Sequence, residues 1–353
     1  MRASYSVNIE QSNRIKFEFE GRIMYGFPGD SIAASLTSYG IIDLRVTSSG
    51  DSRGIFCGMG VCHDCLVEVD GNQNQRACMT KVKDGMRIFK QKYYGNSELK
   101  ISDQKENNNI EKKVETPDIL VIGGGLGGMS AARIAAESGL DVILIDDRVS
   151  LGGQFSKQPT AVHDSTLFSK IDPQINLGKK LIKQVESTGV KVLKGVQIWA
   201  GYPERKVLAI IEGRNMLFSP KRLIVATGAY ERPIPVEGWT LPGVMTTGAV
   251  QTLLRTYNVI AGKEIFIAGN GPFNIQVALE LARAGASIVG VSESSEKPGL
   301  KSLASIIEMF RSSPKLVFQG MQYIKDINKN KIPMYYNYNL SSVKKDGDRL
   351  KTT

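Results

Sequence analysis

"PDILVIGGGLGGMSAARIAAESGLDVILID", residues 117–146, decides the fold. The apolar run ahead of the glycines reads as a buried strand, the alanine-rich run after them as a helix, and "VILI" as a second buried strand. Gly123, Gly125 and Gly128 spell G-x-G-x-x-G between strand and helix, and Asp146 closes the second strand. That context separates a dinucleotide fingerprint from a chance run of glycines. The glycines permit a tight turn and close approach of a pyrophosphate, whose charge meets the free N–H groups of the helix N-terminus. Asp146 stands where a carboxylate accepts the ribose hydroxyls, with Asp147 as the alternative. A glycine turn with no ligand is the competing reading.

Downstream, "LGGQF" brings Gly152, Gly153 and Gln154 just past the second strand, where a flavoprotein chain runs beside the isoalloxazine ring; a plain loop is the alternative. "RLIVATGAY" reads as a buried strand ending at Thr227-Gly228, a step typical of a flavoprotein chain crossing between nucleotide domains, or else an ordinary strand end. Residues 262–294 repeat the strand, glycine turn, helix, strand order, with Gly269 and Gly271 and then Asn274 in place of a third glycine. The Asn side chain crowds the helix–strand contact, and Glu293 could meet a ribose. This second turn takes NAD(P), another adenine nucleotide, or nothing.

Upstream lies every cysteine of the chain: Cys57, Cys62, Cys65 and Cys78, spaced C-x4-C-x2-C-x12-C. Disulfides suit small secreted domains, whereas this chain starts without an apolar signal segment. Clustered thiols in a cytosolic chain bind metal or carry redox chemistry. A structural zinc usually takes two short C-x2-C hooks, and only one is present. The spacing is the plant-type [2Fe–2S] arrangement, with zinc as the alternative. Gly54, Gly58 and Gly60 let the loop fold tightly and aim N–H groups at the sulfurs. "LVEVDG" then forms a strand and an Asp-Gly turn that returns the chain to Cys78. With four thiols available, His63 is a bystander on the loop.

The 353 residues suggest two or three domains, and 42% hydrophobic with 23% charged residues is ordinary for globular protein. The formal charge of +10 is scattered and comes without a nucleic-acid-binding motif, so nucleic acid is not expected as a partner. No run is long enough for a membrane span, and the expected location is cytoplasmic. The expected fold combines α+β and α/β parts: a β-grasp ferredoxin-like domain, then two Rossmann-like domains. The first covers 1–95, with a hairpin turning near Ser12 and Asn13 and a helix from an Asp30 N-cap to Gly40. A charged flexible linker covers 96–116, an FAD-binding domain 117–240, and a second, incomplete nucleotide domain 241–353. His163 is expected in a solvated loop, and no nucleophile–His–acid constellation appears.

Together "CGMGVCHDCLV", "RACMT", "VIGGGLGGMSAA", "GGQF", "ATGAYERPIPVEGWTLPGVMTTGAVQTLL" and "IAGNGP" resemble the alpha subunit of heteromeric sarcosine oxidase. Large subunits of opine oxidase, hydrogen cyanide synthase and dye-linked proline or hydroxyproline dehydrogenases are of the same type. The resemblance implies an FAD-carrying subunit with a fused iron–sulfur domain. It would work beside a smaller flavoprotein that oxidises a secondary amine or amino acid, and relay electrons to an acceptor. Carried over, the four cysteines match the cluster ligands, Gly123, Gly125, Gly128 and Asp146 the FAD site, and Gly152, Gly153 and Gln154 the flavin-adjacent segment. Two departures stand out: Asn274 replaces the third glycine of the second motif, and family members continue beyond "SSVKKDGDRLKTT", so a C-terminally truncated chain is expected. Competing readings are a free-standing NAD(P)H-dependent flavin reductase, and a non-catalytic scaffold holding only the cluster.

Overall fold

The computed structural model describes residues 1–3, 14–92, 113–163, 172–299 and 302–353. The chain divides into two units, Met1–Tyr93 with Glu231–Thr353, and Tyr94–Tyr230.

The first unit opens with strands β1 (Ile15–Phe19) and β2 (Arg22–Gly26), paired antiparallel through Phe17 and Met24. Their turn is Glu20-Gly21, both at positive φ (49° and 76°), the two-residue geometry that matches strand twist. The turn expected near Ser12 and Asn13 lies outside the described residues. Helix α1 (Ile32–Ser38) is capped by Ser31, whose Oγ accepts from Ala34 N–H at 3.1 Å. This corrects the Asp30 cap: the Asp30 carboxylate is buried, accepting from Phe27 N–H (3.1 Å) and pairing with Arg2 (2.5 Å). Gly40 does end the helix, at φ +80°.

A short ribbon, β3 (Arg45–Val46) with β4 (Ser52–Arg53), precedes the cysteine loop. Then come β5 (Leu66–Val69), an Asp70-Gly71 turn at φ 49° and 81°, β6 (Asn72–Arg76) and β7 (Arg87–Lys90). The sheet order is β2-β1-β7-β5-β6, with β1 and β7 parallel. Ile32 and Leu36 of α1 share one core with Phe17, Val67 and Ile88 of the sheet, as a β-grasp requires.

In the second unit β8 (Lys113–Glu115) belongs to a sheet, pairing with a later strand, so the expected linker ends in ordered structure; its residues up to 112 lie outside the described set. The expected Rossmann unit follows as β9 (Ile119–Ile122), α2 (Leu126–Glu137) and β10 (Val142–Asp146). Next are α3 (Pro173–Glu186), β11 (Lys191–Lys194), the meander β12 (Gln197–Tyr202), β13 (Lys206–Ile211), β14 (Arg214–Phe218), and β15 (Arg222–Val225). The parallel sheet β11-β10-β9-β15 is covered on both faces: Val121 and Leu144 pack with Met129 of α2, and Leu120 and Ile143 pack with Val207 and Phe218 of the meander. Burial on both faces explains the unbroken apolar runs of β9 and β10. The strand "RLIV" is in place as β15, but it lies at the sheet edge, and Val225 is 64% exposed rather than buried.

The first unit resumes with α4 (Thr247–Tyr257), β16 (Glu264–Gly269), α5 (Pro272–Arg283) and β17 (Ser287–Glu293). It continues with α6 (Leu303–Ser312), α7 (Pro314–Lys329), β18 (Met334–Tyr336) and the hairpin β19 (Val343–Asp346) with β20 (Arg349–Thr352). Strands β16-β17-β18 form a parallel sheet. Helix α4 is buried on opposite sides, since Leu253 and Tyr257 enter the β-grasp core while Leu254 enters the core of the β16–β18 sheet.

Its Arg255 donates to Glu280 of α5 through Nε (3.0 Å) and Nη2 (2.7 Å), with side chains 1% and 4% exposed. Removing one partner of a buried ion pair strands the other charge. Arg255→Ala is therefore expected to cost about 3–5 kcal/mol, read as a lower urea midpoint. A loss below about 1 kcal/mol would contradict a buried charge at Glu280.

Candidate functional site

The cysteine loop places Cys57, Cys65 and Cys78 in the interior and leaves Cys62 half-buried. Gly58 and Gly60 take φ of +64° and +78°, and the chain coils round the sulfurs. Met59 N–H points at Cys57 Sγ (3.4 Å) and Asp64 N–H at Cys62 Sγ (3.5 Å). The N–H of Val61 also lowers the Cys57 thiol, and that of Gly60 opposes the rise of the Cys78 thiol. The thiols form two pairs, Cys57 with Cys62 and Cys65 with Cys78. The Cys62 thiol donates to Cys57 and, with these N–H groups and against burial, holds the Cys57 thiol down at about 5. Among the described residues no three His, Cys, Asp or Glu side chains gather to hold a single metal ion. Two thiol pairs, each able to serve one iron, are what a [2Fe–2S] cluster takes, and the N–H groups offset thiolate charge; the donor set fits that group. His63 is exposed, at φ +60°.

The loop is seated on the segment leading into α4. Phe56 carbonyl accepts from Thr246 N–H (3.0 Å), and the Phe56 and Trp239 rings meet edge-on at 4.8 Å. A Cβ on Gly58 would lie 2.9 Å from Ala249 Cβ, so both positions must stay small. Sequence reading missed Trp239, Thr246 and Ala249 as cluster-loop neighbours, although they lie inside the stretch that carries the family resemblance.

In the other unit a cavity of about 620 Å³ is lined by Gly123, Gly125, Asp146, Asp147, Gly152, Gly153, Gln154 and Gly228, with Leu126 and Gly127 from the first turn of α2. Gly128 is not in the lining. Its role is packing, since a Cβ there would lie 1.8 Å from the Gly123 carbonyl oxygen. Gly123 needs its φ of +106°, and a Cβ would lie 2.3 Å from Ala226 O. Gly125, the residue before α2, has φ −77° and no side-chain cap, which leaves the first N–H groups of the helix for a ligand. Gly152 N–H donates to Gly124 O (2.9 Å) and ties the "LGGQF" loop to the glycine turn. Asp146 accepts from Gly124 N–H (2.5 Å) and Arg148 N–H (2.8 Å), and burial raises its carboxyl against those bonds. An open helix terminus, a carboxylate 22 residues beyond Gly124 and a cavity in the range of small-molecule sites fit FAD.

At the second glycine turn, Gly269 and Gly271 take φ of +155° and +100°. The Asn274 side chain fills the space a third glycine would leave: a Cβ on Gly269 would sit 2.7 Å from Asn274 Nδ2, and Asn274 Oδ1 accepts from Thr247 Oγ1 (2.8 Å). Glu293 is buried, accepting from Gly271 N–H (2.8 Å) and from the N–H (3.2 Å) and hydroxyl (3.0 Å) of Ser295. One expectation fails: His163 is 0% exposed, at the end of the short turn Ala161–His163 that its N–H closes on Thr160 O (2.8 Å).

A β-grasp domain with paired thiols, joined to a glycine-lined dinucleotide cavity, defines an iron–sulfur flavoprotein. The chain belongs to the pyridine nucleotide-disulphide oxidoreductase family, whose model matches residues 117–353, and a 2Fe-2S iron-sulfur cluster binding domain matches residues 12–93. Its cofactors are accordingly a [2Fe–2S] cluster and FAD. It is 32% identical over 168 residues to an opine oxidase subunit of Rhizobium meliloti (strain 1021), covering 48% of this chain and 36% of that one. It is 26% identical over 306 residues to the sarcosine oxidase alpha subunit of Corynebacterium sp. (strain U-96), covering 78% of this chain and 30% of that one. The chain thus spans well under half the length of these relatives. The crystal structure of L-proline dehydrogenase from P. horikoshii has the same fold, with TM-score 0.66 at 18% identity over 99% of this chain and 58% of the other. No helix among the described residues is long and apolar enough to cross a membrane.

Proposed function

We propose that this chain is the iron–sulfur flavoprotein subunit of a complex that oxidises a secondary amine or amino acid of the sarcosine, proline or opine kind. It relays electrons from a smaller, amine-oxidising flavoprotein subunit to an acceptor. The observation that carries the reading is the presence of two redox cradles in one chain, the paired thiols and the glycine-lined cavity. Bound there, FAD and the cluster would supply two-electron and one-electron exchange respectively.

The residues assigned to the cluster are Cys57, Cys62, Cys65 and Cys78, with the N–H groups of Met59, Gly60, Val61 and Asp64 supporting the thiolates. Those assigned to FAD are Gly123, Gly125 and Asp146, with Gly128 setting the helix against the strand, and Gly152, Gly153, Gln154 and Gly228 beside the ring system. Gly269, Gly271 and Glu293 are assigned to an adenine nucleotide, NAD(P) included, with Glu293 turning from Gly271 N–H to the ribose hydroxyls. Free thiols suit a reducing compartment, and the complex is placed in the cytoplasm.

Substrate chemistry is assigned to the partner. The chain alone should therefore leave sarcosine, L-proline and opines untouched, and the complex purified from its native host should reduce an artificial dye with one of them. Full-rate amine oxidation by the isolated chain would overturn the relay.

A further inference from the structure

The peptide between Gly60 and Val61 is held through its carbonyl. Its carbonyl accepts a hydrogen bond from Arg76 Nη1 at 2.9 Å. Gly60 lies in the loop between Cys57 and Cys62, one residue after Met59, whose N–H points at Cys57 Sγ at 3.4 Å. Arg76 itself is anchored at the backbone, where its carbonyl accepts from the N–H groups of Met79 and Thr80, each at 2.9 Å. The guanidinium fills the space over Gly60, where a Cβ would lie 3.1 Å from Nη1 and 2.8 Å from Met79 Cγ. Among the described residues no carboxylate pairs with Arg76, whereas Arg45 is matched by Asp64 of the cysteine loop at 3.1 Å. The side chain is half-buried, so its charge is only partly screened.

We propose that Arg76 is a positioning residue that raises the reduction potential of the cluster by holding the Gly60–Val61 peptide of the cysteine loop and bringing its own positive charge to that loop. The inference rests on the reading of the four cysteines as cluster ligands. One-electron reduction adds a negative charge to the cluster and its thiolates. A half-buried cation hydrogen-bonded to the loop that carries the ligands favours that added charge by direct attraction and by polarising the loop's peptides. Hydrogen bonding to the sulfurs is among the factors that set such potentials.

The test is a potentiometric titration with dithionite, followed by EPR, on the full chain purified with its cluster, comparing wild type, R76Q and R76K. R76Q keeps an N–H donor without the charge, and R76K keeps the charge without the planar fork. R76Q should retain the iron content and visible bands of wild type while its reduction equilibrium weakens about tenfold, about 59 mV for one electron. R76K should stay close to wild type. An unshifted midpoint in R76Q with an intact cluster would overturn the proposal. If R76Q assembles no cluster, R76K decides: assembly near the wild-type potential supports the role of charge, and any other result shows a merely structural tether. A wild-type chain that holds zinc and gives no EPR signal would sink the ligand reading instead, and this inference with it.

Discussion

Gly125→Val should leave the protein folded and strip it of FAD. The structure separates these two effects. Gly125 has φ −77°, open to any residue, and its Cβ would come no closer than 3.7 Å, to Gly153 Cα. The fold therefore has room for a Cβ at this position, but the cavity does not, because Gly125 lines it at the uncapped N-terminus of α2. An isopropyl group there would stand between the pyrophosphate and the helix N–H groups. The expected loss in FAD affinity is about a hundredfold or more, about 2.8 kcal/mol, measured by flavin titration of the apoprotein. The melting temperature of the apoprotein should stay within a few degrees of wild type. Gly128→Val is the contrast, since its Cβ would lie 1.8 Å from Gly123 O and the strand–helix packing itself must fail. Retention of FAD by Gly125→Val at wild-type affinity would remove this turn from the flavin site.

Cys62→Ser should abolish the cluster. Cys62 is the one half-buried member of the four and is not part of the β-grasp core, whereas Cys65 and Cys78 are. Serine keeps its size, so the change removes the ligand sulfur and little packing. Iron should fall from about two per chain to near zero, with loss of the visible cluster bands. FAD content should be unchanged, because the cavity is built entirely from residues 122–230 of the other unit. A full complement of iron in the variant would show that Cys62 is not a ligand.

Much of this is legible in the amino-acid sequence. The glycine fingerprint can be read because its strand, turn and helix are contiguous and each carries its own local signal. The cysteine spacing can be read for the same reason. Errors arise where local signals compete or where the partner is far along the chain. Asp30 and Ser31 are both good N-cap residues; Ser31 caps because Asp30 is drawn to Arg2. Glu20-Gly21 is easily passed over as the hairpin turn beside the more polar Ser12 and Asn13. The burial of Arg255 and Gln251 in α4 depends on Glu280, 25 and 29 residues away, which no window of helical periodicity reports. The seating of the cluster loop likewise depends on Gly58 meeting Ala249, nearly two hundred residues apart in the sequence, a contact with no local signature. That contact lies within one compact unit, Met1–Tyr93 with Glu231–Thr353.

In the proposed relay, electrons from an amine reach the cluster of this chain. The direct measurement is EPR of the complex purified from its native host, reduced anaerobically with sarcosine, L-proline or an opine in place of dithionite. The substrate which drives dye reduction should also produce the signal of a reduced [2Fe–2S] cluster, and Cys62→Ser should remove this signal and slow turnover with the natural acceptor. Substrate oxidation at full rate, with the cluster remaining oxidised throughout and the Cys62→Ser complex turning over normally, would contradict it.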